Sequence, residues 1–484
     1  MSRCPPIKAQ PGSAESNDAA IFSPVISALN LESLPAFCAR VRKASTDCVE
    51  NQEALIEPID IEPPLFGSYH ALFPIRFQDG LRWILKIPAC GISEHFNASA
   101  SSALQSEALT MRLIRRETSV PVPEVFTFDA TVGNELGVPF ILMSFIQGTS
   151  LYDCWFDMKL SREGRMLRRT RTLEDIARAM AELSSFSFPT GGALMFDMDG
   201  KPTPGPSRFV DHQAMLERLG QGDDDDDDDD DTEPALYFEA GPFTDPQNFY
   251  LLSLDRAKEP ENNLHRGLRR FLEILLRWIP APPDPKFVLT HPDLNMQNVL
   301  VSEDGSLQGL IDWDGVAAVP RFLGNEKYPS WLTRDWDPAM YAWNEEMEQG
   351  IEQDTLWEDS PGTLALHRKE YNDAMQRYLS LQGDSVESYN TPASQGSSTT
   401  EKSLFVENLL IAAEDSICRF DILTKFVEKI VELAQADSSD RTNNQYGDLE
   451  IFDIAGDLAE GKLEQDMLAF LRKGFEALLN QRSM

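Results

Sequence analysis

The stretch Phe287–Gly315, FVLTHPDLNMQNVLVSEDGSLQGLIDWDG, decides the fold. An apolar run, Phe287–Leu289, leads into His291-Pro292-Asp293, and Asn298 follows Asp293 by five positions. Val299–Val301 reads as a short strand, Glu303-Asp304-Gly305 as a hairpin turn, and Leu307–Ile311 as the return strand that delivers Asp312. The turn brings Asp293, Asn298 and Asp312 to one end of a small sheet. Magnesium takes hard oxygen ligands and keeps several waters, so the Asp312 carboxylate with the Asn298 amide oxygen suits it. Asp293 is then left to accept a proton from an attacking hydroxyl. The plainer alternative is a set of Asp and Asn side chains capping turns in an ordinary hairpin.

H-x-D-x-x-x-x-N followed by a strand-borne I-D resembles the catalytic and metal loops of protein kinases, H-R-D-x-x-x-x-N and D-F-G. HPDLNMQNVLV with IDWD is closer to the aminoglycoside phosphotransferase and choline kinase branch, and Val319–Gly324 with Tyr328–Leu332 resembles a stretch of its fungal members. The resemblance implies an α+β, two-lobed protein-kinase-like fold, a small β-rich lobe before a larger, mainly helical one. It also implies ATP and Mg²⁺ as cofactors.

Bulk properties are compatible with this. The 484 residues are 42% hydrophobic and 25% charged, enough for two lobes with a large core. The formal net charge is −36, and nine of the negative charges lie in the run Asp223–Asp231, which reads as a solvated loop at 221–234. An acidic surface repels phosphate backbones, so a nucleic-acid partner is not expected, and a cationic small molecule would be favoured electrostatically. The six cysteines form no C-x-x-C pair, which argues against zinc and against a disulfide framework. No stretch approaches a transmembrane helix, and the first twenty residues lack an apolar signal core, so the expected address is cytoplasmic, with no membrane partner.

Upstream, residues 1–20 read as disordered, and Pro24–Ala44 as helical but interrupted by Pro35. Phe73–Gln78, the Asp79-Gly80 turn and Leu81–Ile87 read as a hairpin with period-2 alternation. Arg82, Ile84 and Lys86 face one way, Trp83, Leu85 and Ile87 the other. A lysine ending an apolar strand is costly unless its charge meets an anion; the resemblance makes Lys86 the lysine that binds the α- and β-phosphates. Ser102 opens a helix by a capping box with Gln105, and Glu107 in that helix is implied as the partner bracing Lys86. The apolar strand 139–148 resembles the inter-lobe hinge; the resemblance implies that Met143 guards the adenine pocket and that the backbones of Ser144 and Ile146 hydrogen-bond the adenine edge. There is no G-x-G-x-x-G before Lys86; Gly67 stands alone, so backbone cradling of phosphate falls to Ser68–Ala71.

Beyond the hinge, the helix Thr172–Leu183 is capped by Thr172, Asn263–Ile279 forms another helix, and Asp335 and Asp337 cap the next helix or line an acceptor site. Gly383–Ser403 reads as a disordered insertion, with C-terminal helices closing the lobe. The lobes are assigned to 50–147 and 148–480. The function implied is transfer of the ATP γ-phosphoryl group to a hydroxyl of a small-molecule acceptor, with Asp293 as catalytic base and Asn298 and Asp312 as metal ligands. No A-P-E segment follows Asp312, which favours a small acceptor over an atypical protein kinase. A catalytically silent kinase-like binding module is the other alternative, supported by the glycine-poor loop.

Overall fold

A six-stranded antiparallel sheet carries the first part of the chain: β1 (Pro58–Ile61), β2 (Leu65–Phe66), β3 (His70–Phe77), β4 (Arg82–Pro88), β5 (Val125–Asp129) and β6 (Phe140–Ser144), in the order β1-β3-β4-β6-β5 with β2 on β3. These coordinates are a computed structural model, which describes residues 20–45, 58–219, 233–260, 262–351, 357–382, 397–436 and 446–481. The Asp223–Asp231 run and residues 1–19 lie outside the described residues, as does 383–396. The chain forms two compact units. The first comprises residues up to Gly148 together with Gly192–Pro242 and Gln308–Ala317; the second comprises Thr149–Gly191, Phe243–Leu307 and the remainder. The sequence reading divides the chain once, at 147/148, because the two later segments of the first unit return to it from far along the chain. No helix among the described residues is long and apolar enough to cross a membrane.

In the first unit, alternation along β4 sorts its side chains. Trp83, Leu85 and Ile87 enter a core with Phe73, Ile75, Phe77, Phe140 and Leu142. The helices Ser23–Ala28 and Leu34–Ser45 add Val25, Leu34 and Cys38 to that core. Pro35 does not interrupt one helix; it sits in the first turn of the second, where a missing N–H costs nothing. Ile84 and Lys86 point to the opposite face. The helix Ala98–Glu117 begins before the expected Ser102: Asn97 is its cap, accepting from the Ala100 N–H at 3.0 Å. A further hairpin pairs Ser207–Val210 with Tyr237–Ala240.

The second unit is mainly helical. Its long helix is Arg162–Glu182, capped by Ser161, and Thr172 lies inside it with its hydroxyl donating to Gly305 O at 2.7 Å. Thr172 is therefore not a cap; the arginine-rich first half hides the true start. Neither Asp335 nor Asp337 caps the next helix. Asp335 accepts both arms of Arg368 at 2.6 and 3.1 Å, and the next helix, Glu345–Glu348, is capped by Asn344. Residues 399–403, expected to be disordered, open the helix Thr399–Glu414, whose capping box is Ser398 with Glu401.

Close packing in this unit makes one sharp prediction. A Cβ on Gly267, in the helix Asn263–Trp278, would stand 1.9 Å from Ala455 O in the helix Ile451–Glu460. Backbone cannot yield as a side-chain tip can, so Gly267→Ala should force the helices apart and destabilise by about 1–3 kcal/mol or more. Gly456, one residue beyond Ala455, has nothing within 4 Å of its ideal Cβ. Gly456→Ala should hold or raise the melting temperature, because alanine is the better helix former. Equal melting temperatures for the two variants would refute this account.

Candidate active site

Two groups of candidate side chains stand in the two units, each within its own unit. In the first, Lys86 is 4% and Glu107 3% exposed, and Lys86 Nζ donates to Glu107 Oε1 at 2.7 Å and to Asp312 Oδ1 at 3.2 Å. Strand alternation turns Lys86 away from the apolar core and toward the Ala98–Glu117 helix, whose sixth position beyond Ser101 is Glu107. Asp312 has φ of +61°, the left-handed region that a non-glycine residue rarely occupies. That backbone follows the strand end Leu307–Leu310 and turns the chain sharply. Strain of this kind, of order 1–3 kcal/mol, persists where the surroundings over-determine it and concentrates at functional sites.

Electrostatics in this group are those of an ionised network. Burial alone would pull the Lys86 ammonium down, but Glu107, Asp312 and Asp314 outweigh it and hold its pKa above the ordinary lysine value. Burial pushes the Glu107 carboxyl up and Lys86 opposes it. The pair is read as ionised, since a neutral Glu107 would leave a buried ammonium facing only the half-exposed Asp312. Burial would also raise Asp312, yet the Lys86 ammonium brings its carboxyl below the usual range. Asp314, His70 and Glu107 present ligand atoms within 4.8 Å of one another, although Glu107 is already engaged by Lys86.

The loop before Lys86 is a tight hairpin tip. Phe66 pairs with Ala71, and the Gly67 N–H donates to His70 O at 2.9 Å. Ser68 and Tyr69 stand at the tip and line the cavity that contains Lys86. At the expected hinge, the Ser144 N–H donates to Glu124 O and the Ser144 hydroxyl accepts from the Glu124 N–H. Ser144 therefore cannot lend its N–H to a ligand. The backbone of Ile146 has no hydrogen-bond partner among the described residues, and its side chain fills the space over Gly309, 2.7 Å from an ideal Cβ there. Met143 is half-buried on β6, opposite Ile84 and Val125.

In the second unit, Asp293 and Asn298 share one loop. Asn298 Nδ2 donates to the Asp293 carbonyl at 2.9 Å and to Asp293 Oδ2 at 3.2 Å, and Asn295 Nδ2 donates to the same carboxylate oxygen at 2.7 Å. These acceptors identify the nitrogen end of the Asn298 amide, leaving its oxygen without a hydrogen bond among the described residues. His291 is fully buried, and its Nδ1 accepts from the Asp293 N–H at 3.2 Å. Past Asn298, Val299–Val301 pairs with Thr149–Ser150, and the turn closes through the Ser302 N–H to Ser306 O at 3.0 Å. A carboxylate steered by two amides can take a proton, and an amide oxygen kept clear of hydrogen bonds can ligate a hard cation.

Sequence reasoning missed two contributors. Lys86 meets Asp312 across 226 positions, a contact that no local pattern announces. Arg208 and Tyr237 line the same cavity as Lys86. They sit on a hairpin whose strands are separated by the low-complexity acidic run, so periodicity could not pair them.

Residues 75–321 match the model of the phosphotransferase enzyme family, APH. A subtelomeric hrmA-associated cluster protein of Aspergillus fumigatus is 24% identical over 327 residues, 57% of this chain and 61% of that protein. Altered inheritance of mitochondria protein 9, mitochondrial, of Lachancea thermotolerans is 23% identical over 325 residues, 58% of this chain and 51% of that protein. The chain thus spans between half and two thirds of the length of these relatives. The mitochondrial name of such relatives overturns the expected cytoplasmic address, which rested only on composition and a missing signal core. Among solved structures, a thermostable mutant of aminoglycoside phosphotransferase APH(4)-Ia, in ternary complex with AMP-PNP and hygromycin B, aligns at a TM-score of 0.39 with 14% identity, covering 91% of this chain and 98% of that one.

Proposed function

Since the chain belongs to the phosphotransferase enzyme family, we propose that it transfers the γ-phosphoryl group of ATP to a hydroxyl of a small-molecule acceptor. The observation that carries this reading is the buried Lys86 ammonium, held between Glu107 and an Asp312 on left-handed backbone. A cation kept charged at such desolvation cost is suited to gripping the α- and β-phosphates. The Ile146 N–H is the uncommitted donor for the adenine edge, with Met143 beside it on β6.

Taken separately, each proposed ligand suits magnesium: Asn298 offers an amide oxygen, and Asp312 a carboxylate whose second oxygen has no hydrogen bond among the described residues. Bound there, the metal would neutralise charge on the phosphates. Asp293, steered by Asn295 and Asn298, orients the acceptor hydroxyl and accepts its proton. The acceptor oxygen bonds to the γ-phosphorus as the bond to the β–γ bridging oxygen breaks, and ADP leaves. Positioning and charge neutralisation supply most of the rate, because a loose transition state asks for little covalent help. The acidic surface favours a cationic acceptor.

In thermal-shift titrations, Mg-ATP should stabilise the parent, and Asp312→Ala should lose most of that stabilisation. A parent indifferent to Mg-ATP, or an Asp312→Ala variant identical to it, would end this reading. A screen of amines, aminoglycosides and sugars for ADP release then identifies the acceptor class. The lone Gly67 in the β2–β3 tip favours a silent binding module as the second reading. That reading predicts Mg-ATP binding with no ADP release for any acceptor or for water.

A further inference from the structure

Among the described residues of the first unit, Arg208 is a cation without a carboxylate partner. Its cross-strand neighbour is Glu239, yet no ion pair forms between Arg208 and any described residue. The guanidinium lies instead over the Tyr237 ring, 3.5 Å from its centroid, and Nε is buried without a hydrogen-bond partner. Of the groups around it, Arg208 acts electrostatically on the Cys90 thiol, a weak partner. A partly desolvated guanidinium left unpaired is costly, and an anion supplied from outside removes that cost.

The cavity Arg208 faces has a volume of about 570 Å³, its open mouth included, and Lys86, His70 and Ser68 line it too. His70 adds no third charge: burial, Lys86 and Arg208 hold its imidazole well below the ordinary range, hence neutral. Lys86 is shared with Glu107 and Asp312, whereas Arg208 forms no ion pair with a described residue and its Nε has no partner. The hairpin tip 67–70 has one glycine and, by its closure, gives the Gly67 N–H to His70 O. Backbone donors for phosphate are therefore few where a glycine-rich loop would supply them.

We propose that Arg208 is a second phosphate-binding cation, whose planar fork takes the non-bridging oxygens of the nucleotide's β- and γ-phosphates in place of loop N–H groups. This rests on the ATP reading above. Tyr237 acts as a positioning residue, stacking beneath the fork and limiting its rotamers. Because Glu107, Asp312 and Asp314 stand nearby, the form of the anion that suits the site is the magnesium complex and not the bare polyphosphate.

The test is calorimetric titration of the full chain with Mg-ATP, Mg-ADP and adenosine, for the parent, Arg208→Ala and Arg208→Lys. Arg208→Ala should weaken ATP about 10- to 100-fold and leave adenosine unchanged, with Arg208→Lys intermediate as a point charge without the fork. Parental ATP affinity in Arg208→Ala overturns the assignment and leaves the ATP reading standing. Equal losses for ATP and adenosine overturn it as well, since they would mark a structural support. A parent that binds adenosine and ATP equally, or neither, overturns both.

Discussion

Asp293→Ala is expected to lower ATP-dependent phosphoryl transfer by about 10²- to 10⁴-fold, the range for loss of a positioned general base, while Mg-ATP affinity stays at the parental value. The separation follows from where the side chain is tied. Asp293 Oδ2 is bound to Asn295 and Asn298 within its own loop, so its loss acts first on that loop. Asp293→Asn sharpens the test. An asparagine can turn its oxygen toward both amide donors and so keep the loop, but it cannot accept the proton. Both variants should then fail alike in turnover with water or with any acceptor found by ADP release. Parental turnover in either variant would remove Asp293 from the chemistry. A parallel loss of Mg-ATP binding would make it a support of the Asn298 loop instead.

The α+β, kinase-like fold was legible because its signals are local. Alternation along β4 separates Lys86 from Trp83, Leu85 and Ile87, and those three lie in the core. The Asp79-Gly80 turn and the apolar run of β6 are equally local. The spacing of Asp293 and Asn298 within one loop also survives reading without a structure, because five residues of loop leave little freedom. What escaped was whatever depends on distant partners. The left-handed backbone of Asp312, its contact with Lys86, and the Arg208–Tyr237 pair are all set by tertiary packing. The missed start of the helix at Arg162 has the same origin. REGRMLRRTR shows no apolar stripe, since the residue that faces inward at Arg169 is charged and needs its partners to be credible there.

Those partners support the largest stability effect expected in this chain. Arg169 is 7% exposed, and its Nη1 donates to Asp359 Oδ1 at 2.8 Å. Its Nε and Nη2 both donate to Trp155 O, and the Trp155 Nε1–H donates to Asp359 Oδ2 at 2.7 Å. Burial lowers the Arg169 pKa, and Asp359 is the first group that raises it again. Asp359→Ala therefore leaves a buried guanidinium uncompensated and an indole N–H orphaned, a loss of about 3–5 kcal/mol. Arg169→Met should cost less, because the carboxylate keeps the indole and can draw in water. The double variant Arg169→Met with Asp359→Leu should recover most of the loss, since no buried charge remains, while the orphaned indole still costs about 1–3 kcal/mol. Urea unfolding followed by tryptophan fluorescence measures this, with Trp155 inside the network. If Asp359→Ala costs no more than an exposed pair, about 0–1 kcal/mol, or if the double variant is worse than either single one, the network is not what holds the first half of the Arg162–Glu182 helix.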